Sequence, residues 1–257
     1  MLRILTASVC ALVLAGSSVE DGEAWLEKAQ DQLYRWPEPH SIVRFEVHTD
    51  VLAPMIAAMK SELEKNPDPE ASKLVAALEK LEIRGALDTA TGELQTEIKI
   101  DYPQTDARTK KAIGTIKQRL NSTLSGCFAG LPLHDPLLLR KGAAVTAAEE
   151  RTDERLVTST GAGHGDTTVL HFSRKSDLPT RFELPAMTID ITYAEAGHRR
   201  YVPATLDMQP KGGSASRAEF SWQKKDDVWF PEHVKLSSKT ANAKIDFDKL
   251  VLEPRER

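Results

Sequence analysis

A chain of 257 residues with 40% hydrophobic content carries enough apolar side chain for a buried core, which excludes a disordered reading. Its 34 basic and 38 acidic residues give a net charge of −4. That balance lacks the basic excess of a dedicated nucleic-acid binder, so no nucleic-acid partner is expected.

The first residues read as an export signal. Met1-Leu2-Arg3 is a short cationic start, and Ile4 to Leu14 is an apolar run too short to span a bilayer. Ala15, Gly16, Ser17 and Ser18 supply small residues for cleavage, which puts a signal peptide at 1–17 and one β-rich domain at 18–257. No Cys follows the small residues, so the lipid-attachment signal of a bacterial lipoprotein is missing. A periplasmic or secreted protein without a transmembrane span is expected. Cys10 would leave with the signal, and Cys127 alone cannot make an intrachain disulfide.

Asp21 to Tyr34 has helical periodicity, with Asp21 placed to cap it and Trp25, Ala29 and Leu33 on one stripe. The prolines of Trp36-Pro37-Glu38-Pro39 end it. Ser41 to Thr49 alternates as a strand. Helical segments then occupy about 51–82. Leu52, Met55, Ile56 and Met59 share a face of the first, and Asp68-Pro69-Glu70 is a strong start for the second. Leu81 to Leu87 and Glu93 to Tyr102 predict a hairpin. A long helix is predicted over about 105–125, capped by Thr105 or Asp106, striped by Ile113, Ile116, Leu120 and Leu124, and stopped by Gly126. Leu131 to Leu139, broken by Pro132 and Pro136, reads as a packed loop.

From Ala143 onward the pattern alternates and turns. Segments 143–149, 155–160 and 167–173 precede one motif written three times: Leu178-Pro179-Thr180-Arg181-Phe182, Val202-Pro203-Ala204-Thr205-Leu206 and Phe230-Pro231-Glu232-His233-Val234. Each copy is followed by another alternating run, which predicts three successive hairpins of an antiparallel meander in a barrel or sandwich-like sheet. Pro lacks a ladder N–H and suits a strand entrance or an edge.

The histidines offer little chemistry. His164-Gly165-Asp166 with His171 is the tightest group, but a metal site needs three or more ligands converging on one point, and a polar turn is the simpler reading. His134-Asp135-Pro136 reads as a turn. Cys127 beside Phe128 reads as a buried small residue. No Gly-x-Ser-x-Gly, Cys-x-x-Cys or phosphate-binding loop is present, and Gly161-x-Gly163-x-Gly165 has no following helix. No catalytic residue, metal or cofactor is expected.

The stretch 143–253, with Asp177-Leu178-Pro179-Thr180-Arg181-Phe182-Glu183, Tyr201-Val202-Pro203 and Asp227-Val228-Trp229-Phe230-Pro231 as its strand entrances, resembles the periplasmic lipoprotein-carrier superfamily. The resemblance implies an α+β fold in which an unclosed, curved antiparallel β-barrel carries helices over its concave face. It also implies an apolar cavity that takes a lipid or a lipidated protein. The Arg-Pro strand signature of the carriers themselves is absent. On this reading Leu52, Met55, Ile56, Met59, Ile113, Ile116, Leu120 and Leu124 are the cavity candidates, because apolar stripes over a curved sheet can leave space for an apolar ligand. The alternative is an envelope protein whose stripes fill a packed core and whose partner docks elsewhere. A hydrolase built around His134 or His164 ranks below both.

Overall fold

The computed structural model describes residues 17–36, 41–103, 107–129, 143–161, 167–239 and 241–254. Residues 1–16 of the expected signal peptide, the Thr105 and Asp106 caps, the loop 131–139 with His134, and His164 with its Gly-rich turn lie outside them.

Helix α1 spans Val19–Gln32. Its cap is Ser18 rather than Asp21: the Asp21 N–H donates to the Ser18 hydroxyl at 3.2 Å, and the Ser18 N–H donates to the Asp21 carboxylate at 2.7 Å. Asp21 therefore closes a capping box from the third helical position. Strand β1 spans Ser41–Thr49, and helices α2 (Ala53–Lys65) and α3 (Pro69–Glu79) follow. Asp68 caps α3 by accepting from the N–H groups of Glu70 and Ala71 at 2.9 and 3.3 Å. Strands β2 (Glu82–Asp88) and β3 (Leu94–Lys99) form the expected hairpin, with Gly92 at φ 70° in its turn.

Helix α4 runs Ala107–Ala129, through Gly126 rather than stopping at it. A mid-helix Gly costs about 1 kcal/mol relative to Ala. Continuing the helix buries Cys127 and Phe128, each 3% exposed, and that burial outweighs the cost.

The remaining strands are β4 (Ala144–Glu150), β5 (Glu154–Thr160), β6 (Thr167–Ser173), β7 (Pro179–Glu183), β8 (Met187–Glu195), β9 (Tyr201–Pro210), β10 (Ser216–Lys225), β11 (Val228–Ser238) and β12 (Asn242–Pro254). All pair antiparallel in one sheet of order β3-β2-β1-β12-β11-β10-β9-β8-β7-β6-β5-β4. Because β3 and β4 end the order without pairing to each other, the sheet curves but does not close.

The three prolines of the repeated motif share a device. Pro179 pairs with Phe172, Pro203 with Tyr193 and Pro231 with Trp222, so an aromatic ring on the preceding strand stands opposite each. At each site the ladder then skips one residue, Thr180, Ala204 or Glu232. A bulge breaks the local hydrogen-bond pattern and increases twist, which lets a residue without an N–H occupy a strand that has neighbours on both sides. Placed on every second strand, the bulges add curvature in regular steps.

Opposed residues share a face, so the register sorts the side chains. Val157, Leu170, Phe182, Ile189 and Met208 form one row across β5 to β9. Leu206, Ala218, Leu236 and Ala243 form another across β9 to β12. Both rows lie on the concave face. The other face carries His171, Arg181, Asp190, Asp207 and Arg217 in one cross-strand row. Arg181 there is bidentate to Asp190 at 2.6 and 3.2 Å.

Helices cover the concave face in two places. Leu26 and Ala29 of α1, with Leu33 just after it, pack on Val145, Val157, Leu170, Phe172 and Leu178. Over the other half, α3 and α4 complete a larger core in which Phe45, Phe128, Phe230 and Phe247 interlock with ring centroids 5.2–5.9 Å apart. Gly85 makes room for this cluster, since a Cβ there would come within 2.3 Å of the Phe45 ring.

Candidate ligand-binding cleft

Between the two covered regions the concave face is half-buried at Ile189, Ile191, Leu206 and Met208. A cleft of about 630 Å³ opens beside them, bounded by α2, α4 and β9 to β12. That volume lies within the roughly 300–1,000 Å³ range of small-molecule sites.

Its floor is the row Leu206, Ala218, Leu236 and Ala243, flanked by Met208 and Phe220. The two alanines alternate with the two leucines across four strands, and their short side chains deepen the floor. One wall is the start of α2, through Val51, Pro54 and Met55. Asp50 holds that wall in place: its carboxylate accepts from the Lys244 N–H, and its N–H donates to the Lys244 carbonyl at 3.2 Å, next to Ala243 of the floor. Helix α2 has no fully buried residue and no side-chain cap, so this clamp and partial packing position it.

The facing wall is α4, through Arg119, Ser122, Thr123, Gly126 and Cys127. Positions 119, 122, 123 and 126 have the i, i+3, i+4, i+7 spacing of one helical face. The small side chains of Ser122 and Gly126 leave space where a large residue would close the cleft. Cys127 is 3% exposed, and burial pushes its thiol up to about 12, so it serves as wall and not as nucleophile.

The structure brings one of the eight predicted cavity residues, Met55, to the cleft. Leu52, Ile113, Leu120 and Leu124 are buried in the main core, 1–2% exposed. Ile56, Met59 and Ile116 are half-buried and pack against that core. Sequence reasoning missed Arg119, Ser122, Thr123 and Gly126, whose helical spacing was readable but whose polarity resembles a solvated face. It also missed the floor row, which depends on the register of four strands.

His171 lies on the convex face. Glu154 approaches one ring nitrogen at 2.8 Å and Glu183 the other at 3.2 Å, so the carboxylates flank the ring instead of converging on a point. The contact with His171 holds the Glu154 carboxyl below its ordinary value. A second groove, of about 650 Å³, crosses β1, β2, β3 and β12. It is strongly charged, and two of its cations are paired: Arg44 with Glu253 at 2.6 Å and Lys249 with Glu46 at 2.7 Å. Among the described residues no helix is long and apolar enough to cross a membrane.

No protein-family profile and no curated protein matches the chain. Among solved structures it is similar to the crystal structure of an outer membrane lipoprotein-sorting protein domain from Vibrio parahaemolyticus, with a TM-score of 0.31 and 6% identity over 93% of this chain and 95% of that one.

Proposed function

We propose that this chain is a non-enzymatic cell-envelope protein that holds the acyl chain of a lipid, or of a lipidated protein, in the cleft between its sheet and helices. The supporting observation is the cleft floor. Leu206, Ala218, Leu236 and Ala243 present a continuous apolar row that α2 and α4 flank and leave open. Burial of an acyl chain there contributes about 0.8 kcal/mol per methylene. The export-type start of the sequence supports an envelope setting.

The test is mass spectrometry of organic extracts from protein purified without detergent, on the natural chain and on Ala218→Leu. Acyl lipid near one equivalent in the first, strongly reduced in the second with an unchanged far-ultraviolet dichroism spectrum, supports the reading. Lipid-free natural protein that also takes up no added lipid overturns it.

A second reading, a structural or interaction protein with a filled interior, is favoured by one observation: Leu52, Ile113, Leu120 and Leu124 are consumed by the core. It predicts no lipid in either preparation and a protein partner on affinity capture.

A further inference from the structure

We infer that the cleft selects an amphiphile with a carboxylate head, and that Arg119 recognises the head. This rests on the cleft being a lipid site. Two cations line the cleft and no carboxylate does. Arg217 borders it from the strand but carries its guanidinium on the other face of the sheet, paired with Asp207 at 3.3 Å and Glu219 at 2.8 Å. Arg119 is exposed on the α4 wall, and its guanidinium has no hydrogen-bond or ion-pair partner among the described residues. The side-chain bond at this position, from the Thr123 hydroxyl, goes to the Arg119 backbone carbonyl at 3.0 Å and leaves the guanidinium untouched.

The lining that holds Arg119 also carries hydroxyls, Ser122 on the helix and Ser216 on β10, while the floor is apolar. A ligand lying along the floor therefore ends against an uncompensated cation and hydroxyl donors. The guanidinium fork matches a carboxylate with two parallel hydrogen bonds, and an ammonium head would be repelled. A single-chain carboxylate, a long-chain fatty acid, satisfies both ends at once.

The experiment compares dodecanoate and dodecanol, equal in chain and different in head, by calorimetric titration of the full chain after lipid extraction. Dodecanoate is expected to bind about three- to tenfold more tightly at low salt, the gain of a partly screened ion pair with paired hydrogen bonds. Salt at about 0.5 M should narrow the gap, because screening weakens an exposed pair. In Arg119→Gln the gap should close to within about twofold. Equal affinities in the natural chain, or a gap that survives in Arg119→Gln, overturn the assignment while leaving the cleft as a lipid site. Failure of both ligands to bind overturns the cleft and the head-group assignment together.

Discussion

The Tyr34 hydroxyl accepts a hydrogen bond from the Trp229 N–H at 2.9 Å and donates to the Asp227 carbonyl at 3.2 Å. Trp36 adds a bond from its indole N–H to the Trp229 carbonyl at 3.0 Å, and the Tyr34 N–H donates to the Tyr201 carbonyl at 2.9 Å. The segment after α1 is thereby sewn to the starts of β9 and β11. Burial pushes the Tyr34 phenol up to about 12, so it remains a neutral donor at ordinary pH. Tyr34→Phe removes the bonds to the half-buried Trp229 N–H and to the Asp227 carbonyl of an exposed residue, and should lower unfolding free energy by about 0.5–1.5 kcal/mol in a denaturant titration.

Asp177 fastens the other side of α1. It bonds Lys28 at 2.8 Å and also Arg155, whose guanidinium lies 5.3 Å from the centre of the Trp25 ring. Partial burial acts to raise the Asp177 carboxyl, but the bonds from Lys28 and Arg155 prevail and hold it below its ordinary 3.8. A depressed folded value means that the stabilisation is complete above the unfolded value and is lost as pH falls through the folded one. The loss therefore falls in acid, below about pH 4. Asp177→Asn keeps a residue suited to the local φ of 57° and removes the charge. It should cost about 1–2 kcal/mol at neutral pH and flatten the acid limb of the stability profile, read by chemical unfolding at stepped pH.

Gly85 and Phe45 make a sharper test of packing. Gly85→Ala puts a methyl into the Phe45 ring, and that ring touches Phe128, Phe230 and Phe247. The expected loss is about 1–3 kcal/mol from overpacking, measured as a lower denaturant midpoint. No loss would mean that the four-ring cluster is loose.

The bulge after each repeated proline makes a prediction about register. Deleting Glu232 forces Pro231 and the residues before it to slip by one against β10, which exchanges their faces. The variant should fail to fold or lose more than about 4 kcal/mol. Pro231→Ala leaves the spacing intact and should cost less than about 1.5 kcal/mol. Comparable losses in the two would show that the ring, and not the extra residue, is what matters there.

Cys127 reports on the cleft wall. With its thiol raised from 9.0 to about 12 and only 3% exposed, it should react with iodoacetamide at pH 8 at least about a hundredfold more slowly than in denatured chain. Intact-mass measurement over time decides this, and rapid native labelling would show that α4 opens at its end.

What the sequence revealed follows the range of the forces involved. Asp68-Pro69 announces α3 because a cap acts within four residues. The three hairpins were legible because alternation is local. Gly126 misled because its own preference is a stop, while Phe128, two residues on, finds its ring partners on β1, β11 and β12. The placement of β1 between β2 and β12 is invisible to any short window. The cleft was illegible for the same reason: Leu206, Ala218, Leu236 and Ala243 become one row only after four strands are in register, with bulges counted. The alternating runs did mark each of these strands, without saying which residues would face each other.

The pairing of β1 with β12 also bears on how the chain is born. Arg44 and Glu253 meet across 209 positions, so β1 waits for the synthesis of that many further residues before its second neighbour exists. Until then it has only β2, and Phe45 and Val47 lack the side chains of Phe247 and Ile245 that enclose them. Non-local pairing of this kind slows folding and prolongs exposure of strand edges. A nascent chain arrested before residue 242 would therefore remain unfinished, its main core lacking Ile245, Phe247 and Leu250, and would be open to chaperones and proteases until β12 arrives.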